Sequence, residues 1–520
     1  MFVKSLRIKN YATIMKKVLG TWDLTAMGVA SMVGAGIFST IGMAAHSGGP
    51  GVILLFLFTG ITCLFSALCY AELAAAHPES GSAYTYAFRQ FGPLVGWIIG
   101  WDLFLEYAVG NMAVAISWSD YLSQFLSTMD IHIPAWLTMP YSEAKSELTP
   151  DAILAWTQAP RFFGTKFIAD IPAIGITFLI TLLVWLGIRE SNGVNIFLVV
   201  VKLSILLVII TLGWSFVQPT NWSPFLPNGW TGVFSGTAAV FFAYIGFDAI
   251  TTLAGETKEA TKQLPRAILY SLIIVTVLYV LLSVVLTGMV SYTELNVGDP
   301  LLFAVQKVGW VMMQPWVGVS AILSMTGVLL VFQLGQPRIW MVMSKDGFLP
   351  SFLSKMHPKF HTPSWATWLT GFSITIPLLF LDLKEVVDLT SIGTLFAFLI
   401  VCVGVWWKPR TISSFKVPFI NGRYWTPIII LPILLIYTLS IPPATLSFIE
   451  KGMTMICLLA IVMVVRWTFI KQLSLFPALG VCSNLFLLST MNDMNWLRFI
   501  IWLAIGGIIF FTYGKYRVKS

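Results

Sequence analysis

The sequence predicts an all-α integral membrane protein of about fourteen transmembrane helices. Three observations carry this prediction. Of the 520 residues, 57% are hydrophobic and only 10% charged, a composition foreign to soluble globular domains. Apolar runs of about 18 to 25 residues, each enough to cross a ~30 Å hydrocarbon core, recur along almost the whole chain. Lysine and arginine then gather in alternate connections, as positive loops retained in the cytoplasm do.

The spans fall at residues 23–45, 51–76, 94–127, 171–188, 194–216, 232–255, 267–290, 313–337, 365–381, 387–407, 426–446, 451–470, 475–490 and 496–513. The third is too long for one perpendicular crossing, so it either tilts or carries an extramembrane turn beyond Ser119. Pro427, Pro432, Pro442 and Pro443 crowd the eleventh and twelfth. Two runs are interrupted: Leu24 to Ala45 at Gly34-Ala35-Gly36, and Val233 to Leu253 near Gly246. Within hydrocarbon every backbone N–H and C=O needs a partner inside the protein, so non-helical backbone at that depth survives only where it lines a cavity or binds something. The two breaks therefore predict a buried binding site.

The cations set the expected orientation. Lys4, Arg7, Lys9, Lys16 and Lys17 precede the first span, and Arg89, Arg189, Lys258 with Lys262 and Arg266, Lys345 with Lys355 and Lys359, and Lys408 with Arg410, Lys416 and Arg423 follow in alternate connections. Lys515, Arg517 and Lys519 close the chain. Both termini are expected in the cytoplasm of a cell (plasma or inner) membrane, and the acidic connection 129–170 outside. The first apolar run begins after residue 20 and is long enough to span, so a cleaved signal peptide is not expected.

The net charge of +8 sits one loop at a time beside spans rather than in a stripe, which fits topology and not a nucleic-acid partner. Cys63, Cys69, Cys402, Cys457 and Cys482 all lie in apolar runs and read as small buried hydrophobes. His46, His77, His132, His357 and His361 form no zinc pattern. No metal or cofactor is indicated. A membrane enzyme would need convergent His, Asp, Ser or Cys groups, and a channel a pore ring; neither pattern is visible.

Long stretches resemble the cationic amino acid transporter group of the amino acid, polyamine and organocation (APC) superfamily. They include the run Gly28 to Phe38, Cys69-Tyr70-Ala71-Glu72-Leu73-Ala74, the runs Gly81 to Ala87 and Gly100 to Gly110, and Asn221-Trp222-Ser223-Pro224-Phe225. The run Phe241 to Asp248, Gly335-Gln336-Pro337-Arg338, Met343 to Gly347, Ser391 to Leu395 and Trp496 to Trp502 extend the match from about residue 20 to 514. The resemblance implies two inverted five-helix repeats, residues 23–217 and 232–407, whose broken first helices cross at mid-membrane. Four peripheral helices at 426–514 follow, with cytoplasmic segments at 1–22 and 515–520.

It also implies secondary active transport of amino acids by alternating access, with proton symport as the expected coupling. The alternatives are an amino acid or polyamine exchanger without proton coupling, and an amino acid sensor built on the same fold. In this reading Ser31, Met32, Val33, Gly34, Ala35 and Gly36 hold the substrate carboxylate on freed amides at the positive end of a half-helix. Glycine is expected to let the backbone unwind there; the competing reading is close helix packing through small residues. Phe242, Ala243 and Ile245 supply carbonyls for the ammonium, Tyr244 and Gly246 belong to the same substrate-binding segment, and the aromatic cluster Phe241, Phe242, Tyr244 and Phe247 reads as a mixture of gate and core packing; Met325 with Thr326 and Gly327 bounds the side chain. Ser391 and Thr394 face either the pocket or another helix.

Lys202 is the most telling charge. About eight residues separate it from the start of span five, roughly 12 Å of helix at 1.5 Å per residue, and an ionisable group at that depth is costly and usually functional. It is assigned to proton coupling, against the alternative of a fixed cation tying span five to span one. Asp102 and Glu106 share a face at a spacing of four and either meet a cationic side chain or pair with Arg or Lys. Asp248, Thr252 and Glu256 repeat every four residues and are read as one face of the helix after the break. A gate salt bridge between Glu72 and Arg89 is a further expectation.

Overall fold

The computed structural model describes residues 19–146, 149–162, 164–187, 192–360, 362–407, 414–440 and 448–514. The cationic N-terminal segment, Arg189, Lys408 with Arg410, and the tail from Lys515 lie outside them. Among the described residues the regular secondary structure is helical apart from one two-residue strand pair, Arg161–Phe162 with Thr165–Lys166. Nine helices are long and apolar enough to cross a membrane, and shorter apolar helices run over Ile171–Trp185, Gly422–Leu435 and Leu475–Ser489. The protein is an all-α multi-pass membrane protein.

Span one is divided into Thr21–Met32 and a second half that begins with the π-turn Gly36–Thr40 and continues as Ile41–Gly48. Span two is Val52–Ala76, span three Pro93–Ser127, span four Ile171–Trp185 and span five Asn192–Gly213. Span six is divided into Thr237–Tyr244 and Phe247–Glu256. Span seven is Ala260–Met289, eight Gln314–Lys345, nine Ser364–Thr375 and ten Leu383–Trp407. Spans eleven to fourteen are Gly422–Ser440, Phe448–Lys471, Leu475–Ser489 and Asp493–Thr512.

Sequence boundaries err where proline is internal. Span seven begins before Pro265 and span eight runs eight residues beyond Pro337, both prolines being carried inside continuous helix. Neighbouring helices can re-satisfy the backbone groups that a proline frees. Span three has no extramembrane turn at Ser119; it continues to Ser127, with a π-turn at Leu105–Val109.

Burial locates the centre of the molecule. The most apolar stretch of span six is 94% buried, against 28% for span fourteen. Span seven packs along spans one and two, and span eight along span three. Span thirteen is wedged against spans two and ten, where Asn484 Nδ2 donates to Ser66 Oγ at 2.8 Å. The connection 128–170 folds on a small apolar cluster of its own, including Met139, Ala152 and Ile168. Asp170 anchors it by accepting from Ser119 Oγ at 2.6 Å and from the Ala173 amide at 3.0 Å.

At the other end, Glu256 is not merely interfacial. Its carboxylate meets Arg338 Nη2 at 2.8 Å, with side chains only 9% and 10% exposed. The Glu256 carbonyl accepts from Leu19 N at 3.1 Å, and Lys258 N donates to Leu19 O at 3.1 Å, so the chain entering span one is pinned to the end of span six. Removing one member of a buried ion pair leaves the other charge without its counter-ion, at about 3–5 kcal/mol. Glu256→Gln is therefore expected to lower the thermal midpoint of the purified protein markedly. Glu256→Gln with Arg338→Met is expected to regain most of that loss; a double variant no more stable than the single one would show that the pair is not coupled.

Candidate functional site

The first half of span one ends where Val33 N bonds Val29 O at 2.9 Å, and helical pairing resumes only when Ile37 and Phe38 donate to Gly34 O at 3.1 Å. Among the described residues no backbone carbonyl accepts from the amides of Gly34, Ala35 and Gly36. The carbonyls released by the break do have partners. Lys202 Nζ donates to Ala30 O at 3.1 Å and to Val33 O at 3.0 Å, and Tyr279 Oη donates to Met32 O at 2.7 Å. Lys202 is 3% exposed. A cation thus sits at the negative end of one half-helix dipole, while the positive end of the next half-helix presents free donors beside it.

Span six breaks at Ile245-Gly246, where Gly246 has φ +118°. Ile245 N takes the Phe242 carbonyl at 3.2 Å, leaving the carbonyls of Ala243, Tyr244 and Ile245 without a backbone donor among the described residues. Ser31 Oγ lies 2.9 Å from both Gly246 O and Gly28 O, so a single hydroxyl links the two breaks.

The glycines work differently from the expectation. Neither Gly34 nor Gly36 has positive φ; their role is close approach. A Cβ on Gly36 would lie 2.2 Å from Ala243 Cα, and one on Gly34 would lie 2.6 Å from Val328 Cγ2. Gly246 alone needs the left-handed conformation, and a Cβ there would also crowd the Ser31 carbonyl at 3.0 Å. On span eight it is Val328 that covers the break. Met325 is buried nearby in sequence, Thr326 Oγ1 accepts from Trp118 Nε1 at 3.0 Å, and Gly327 faces open space.

The aromatic side chains of span six are mostly packing. Tyr244 Oη is fixed on Phe56 O at 2.9 Å, and Phe241 and Phe247 pack on Phe398. Ser391 Oγ donates to Ala238 O at 2.8 Å, and Thr394 Oγ1 bonds back to Thr390 O within its own helix.

Three carboxyl groups meet below the breaks. Asp102, Glu106 and Asp248 are all buried, at 1%, 2% and 0% exposure. Glu106 and Asp248 are within hydrogen-bonding reach of each other, and Tyr107 Oη donates to Asp248 Oδ2 at 3.3 Å. Among the described residues neither oxygen of Asp102 has a hydrogen-bond partner. Among the described residues no Arg or Lys pairs with Asp102 or Glu106, the partner the spacing allowed for.

Asp248, Thr252 and Glu256 do not share a face either. Residues 247–256 wind as a 3₁₀ helix, in which the period is three and a spacing of four rotates around the axis. Accordingly Asp248 turns to Tyr107, Thr252 to its own Ala249 carbonyl and Glu256 to Arg338. The Glu72–Arg89 bridge is replaced by two other contacts: Arg89 pairs with Glu79 at 2.9 Å, and Glu72 accepts from the Val417 amide at 2.7 Å.

Sequence reasoning missed Tyr279, Val328 and Tyr107 as site neighbours; each is an ordinary residue of an apolar helix until the breaks place it. Gly246→Ala is expected to destabilise the folded protein by about 1–3 kcal/mol through backbone strain, read as a lower thermal midpoint with loss of substrate binding. An unchanged midpoint would mean that the break tolerates an ordinary residue.

Comparison with known proteins identifies the family. The family described as amino acid permease matches residues 19–465, and the C-terminus of that permease family matches residues 474–518. The branched-chain amino acid permease BcaP of Bacillus subtilis is 35% identical over 97% of this chain and 94% of its own length. The methylthioribose transporter of the same organism is 34% identical over 99% and 96%. Human cationic amino acid transporter 4 is 29% identical over 100% and 90%. The chain therefore belongs to the amino acid permease family of the APC superfamily, as an amino acid transporter rather than an enzyme.

Proposed function

We propose that the protein is a proton-coupled symporter that takes up amino acids across the cell membrane by alternating access, with both termini in the cytoplasm. The free amides of Gly34 to Gly36 receive the substrate carboxylate, and the open carbonyls of Ala243 to Ile245 receive its ammonium. Lys202 is the coupling group. The observation that carries this reading is its bonding to Ala30 O and Val33 O, because a hydrogen bond from a charged donor is roughly twice as strong as a neutral one. Protonation then holds the first half of span one against span five, and loss of the proton loosens it.

Lys202 also sits where substrate occupancy acts directly on it, since the residues it grips adjoin the amides that hold the carboxylate. Asp102, Glu106 and Asp248 line the inner half of the path beneath the breaks and serve as acceptors along the proton's route inward. The names of the relatives extend from branched-chain and cationic amino acids to methylthioribose, so a test of substrate class has to include all three.

The experiment is uptake of radiolabelled amino acids and methylthioribose into proteoliposomes with and without an inward proton gradient. Gradient-driven accumulation by the native protein, lost in Lys202→Met while binding persists, is the expected result. Equal exchange in both proteins with no response to the gradient would instead establish an exchanger, and binding without turnover would establish a sensor.

A further inference from the structure

A cavity of about 560 Å³ opens at the end of the molecule where spans one and thirteen finish and spans ten, twelve and fourteen begin. The cation distribution assigns this end to the outside. One wall belongs to the helices that carry the breaks, with His46 from span one and Ala239 from span six, joined by Val387 from span ten. The opposite wall comes from the C-terminal helices, with Glu450 and Thr454 of span twelve and Asn492 at the start of span fourteen.

The cavity is separate from the site between the breaks. None of Gly34 to Gly36 or Ala243 to Gly246 lines it, and Thr40 Oγ1, which donates to Ala239 O at 2.8 Å, and Ser391 Oγ, which donates to Ala238 O at 2.8 Å, tie spans one and ten to span six beside its lining. Ala243, the first of the open carbonyls, follows Ala239 by four positions, about 6 Å of helix at 1.5 Å per residue.

Its chemistry is that of a receptor for both signs of charge. Lys384 lines the same cavity as the carboxylates of Asp388 and Glu450. Asn492 and Asn495 line the cavity together with Asp388. The volume is many times the ~30 Å³ share of one water molecule and falls in the range of small-molecule pockets. A compact solute with an ammonium at one end and an anionic group at the other fits this arrangement.

We propose that this cavity is a second binding site for a free amino acid, bridging the helices that carry the breaks to spans twelve and fourteen. The zwitterionic headgroup of phosphatidylethanolamine has related chemistry, and the test separates the two. Thr231 and Lys384 both line the cavity, are exposed and take no part in the site between the breaks.

The test is saturation binding of radiolabelled leucine, alanine and arginine in turn, by equilibrium dialysis of the full chain in phosphatidylcholine nanodiscs. The expected result is two sites per chain for the native protein and one for Thr231→Trp and for Lys384→Glu, with uptake into liposomes retained as proof of folding. One site in the native protein, or two that survive both substitutions, would overturn the proposal. So would loss of the second site on changing the nanodisc lipid to phosphatidylethanolamine, which would assign the cavity to a headgroup. Stoichiometry is read without a gradient, so it is independent of proton coupling.

Discussion

Everything at the centre of this protein depends on how the carbonyls shed by the break in span one are satisfied. An unpaired polar group in hydrocarbon costs several kcal/mol, and this break frees backbone groups on both sides. Lys202 and Tyr279 supply donors to Ala30, Val33 and Met32. Among the described residues no backbone carbonyl accepts from the amides of Gly34 to Gly36. The asymmetry is what makes the break a site: its acceptor side is closed by the protein and its donor side is open.

The second break is joined to the first by close packing. Gly36 lies against Ala243 and Gly246 against Ser31, so the two interruptions lie side by side. The Ser31 hydroxyl, shared between Gly28 O and Gly246 O, means that a displacement of either broken helix is felt by the other. The Glu256–Arg338 pair and the Leu19 backbone bonds lock one end of the same helices, while Thr40 and Ser391 lock them to span ten and to each other toward the opposite end. Movement of the central pair therefore requires one of these two layers to open.

Much of this was legible in the sequence because hydrocarbon imposes strict rules. Span count, the position of both breaks and the depth of Lys202 follow from run length, glycine placement and the rarity of charge in apolar segments. What was not legible depends on geometry beyond periodicity. The Asp248-Thr252-Glu256 spacing reads as one helical face, but the chain there winds with a period of three, and no residue pattern in the segment announces it. Glu72 and Arg89 are close in sequence and opposite in charge, yet Glu79 is nearer to Arg89 and the Val417 amide arrives from more than three hundred residues away. Gly34 and Gly36 look like flexible points and act as contact points, a distinction that needs the neighbouring helix in place.

The most direct test of the central claim is hydrogen–deuterium exchange of the peptides covering residues 28–36 and 244–248, comparing the native protein with Lys202→Met at one pH. If the Lys202 ammonium holds the break, the variant exchanges faster in both segments and unchanged elsewhere in spans two and three. Identical exchange in the two proteins would mean that the break is maintained by packing alone, and the account of Lys202 as the group that governs it would be wrong.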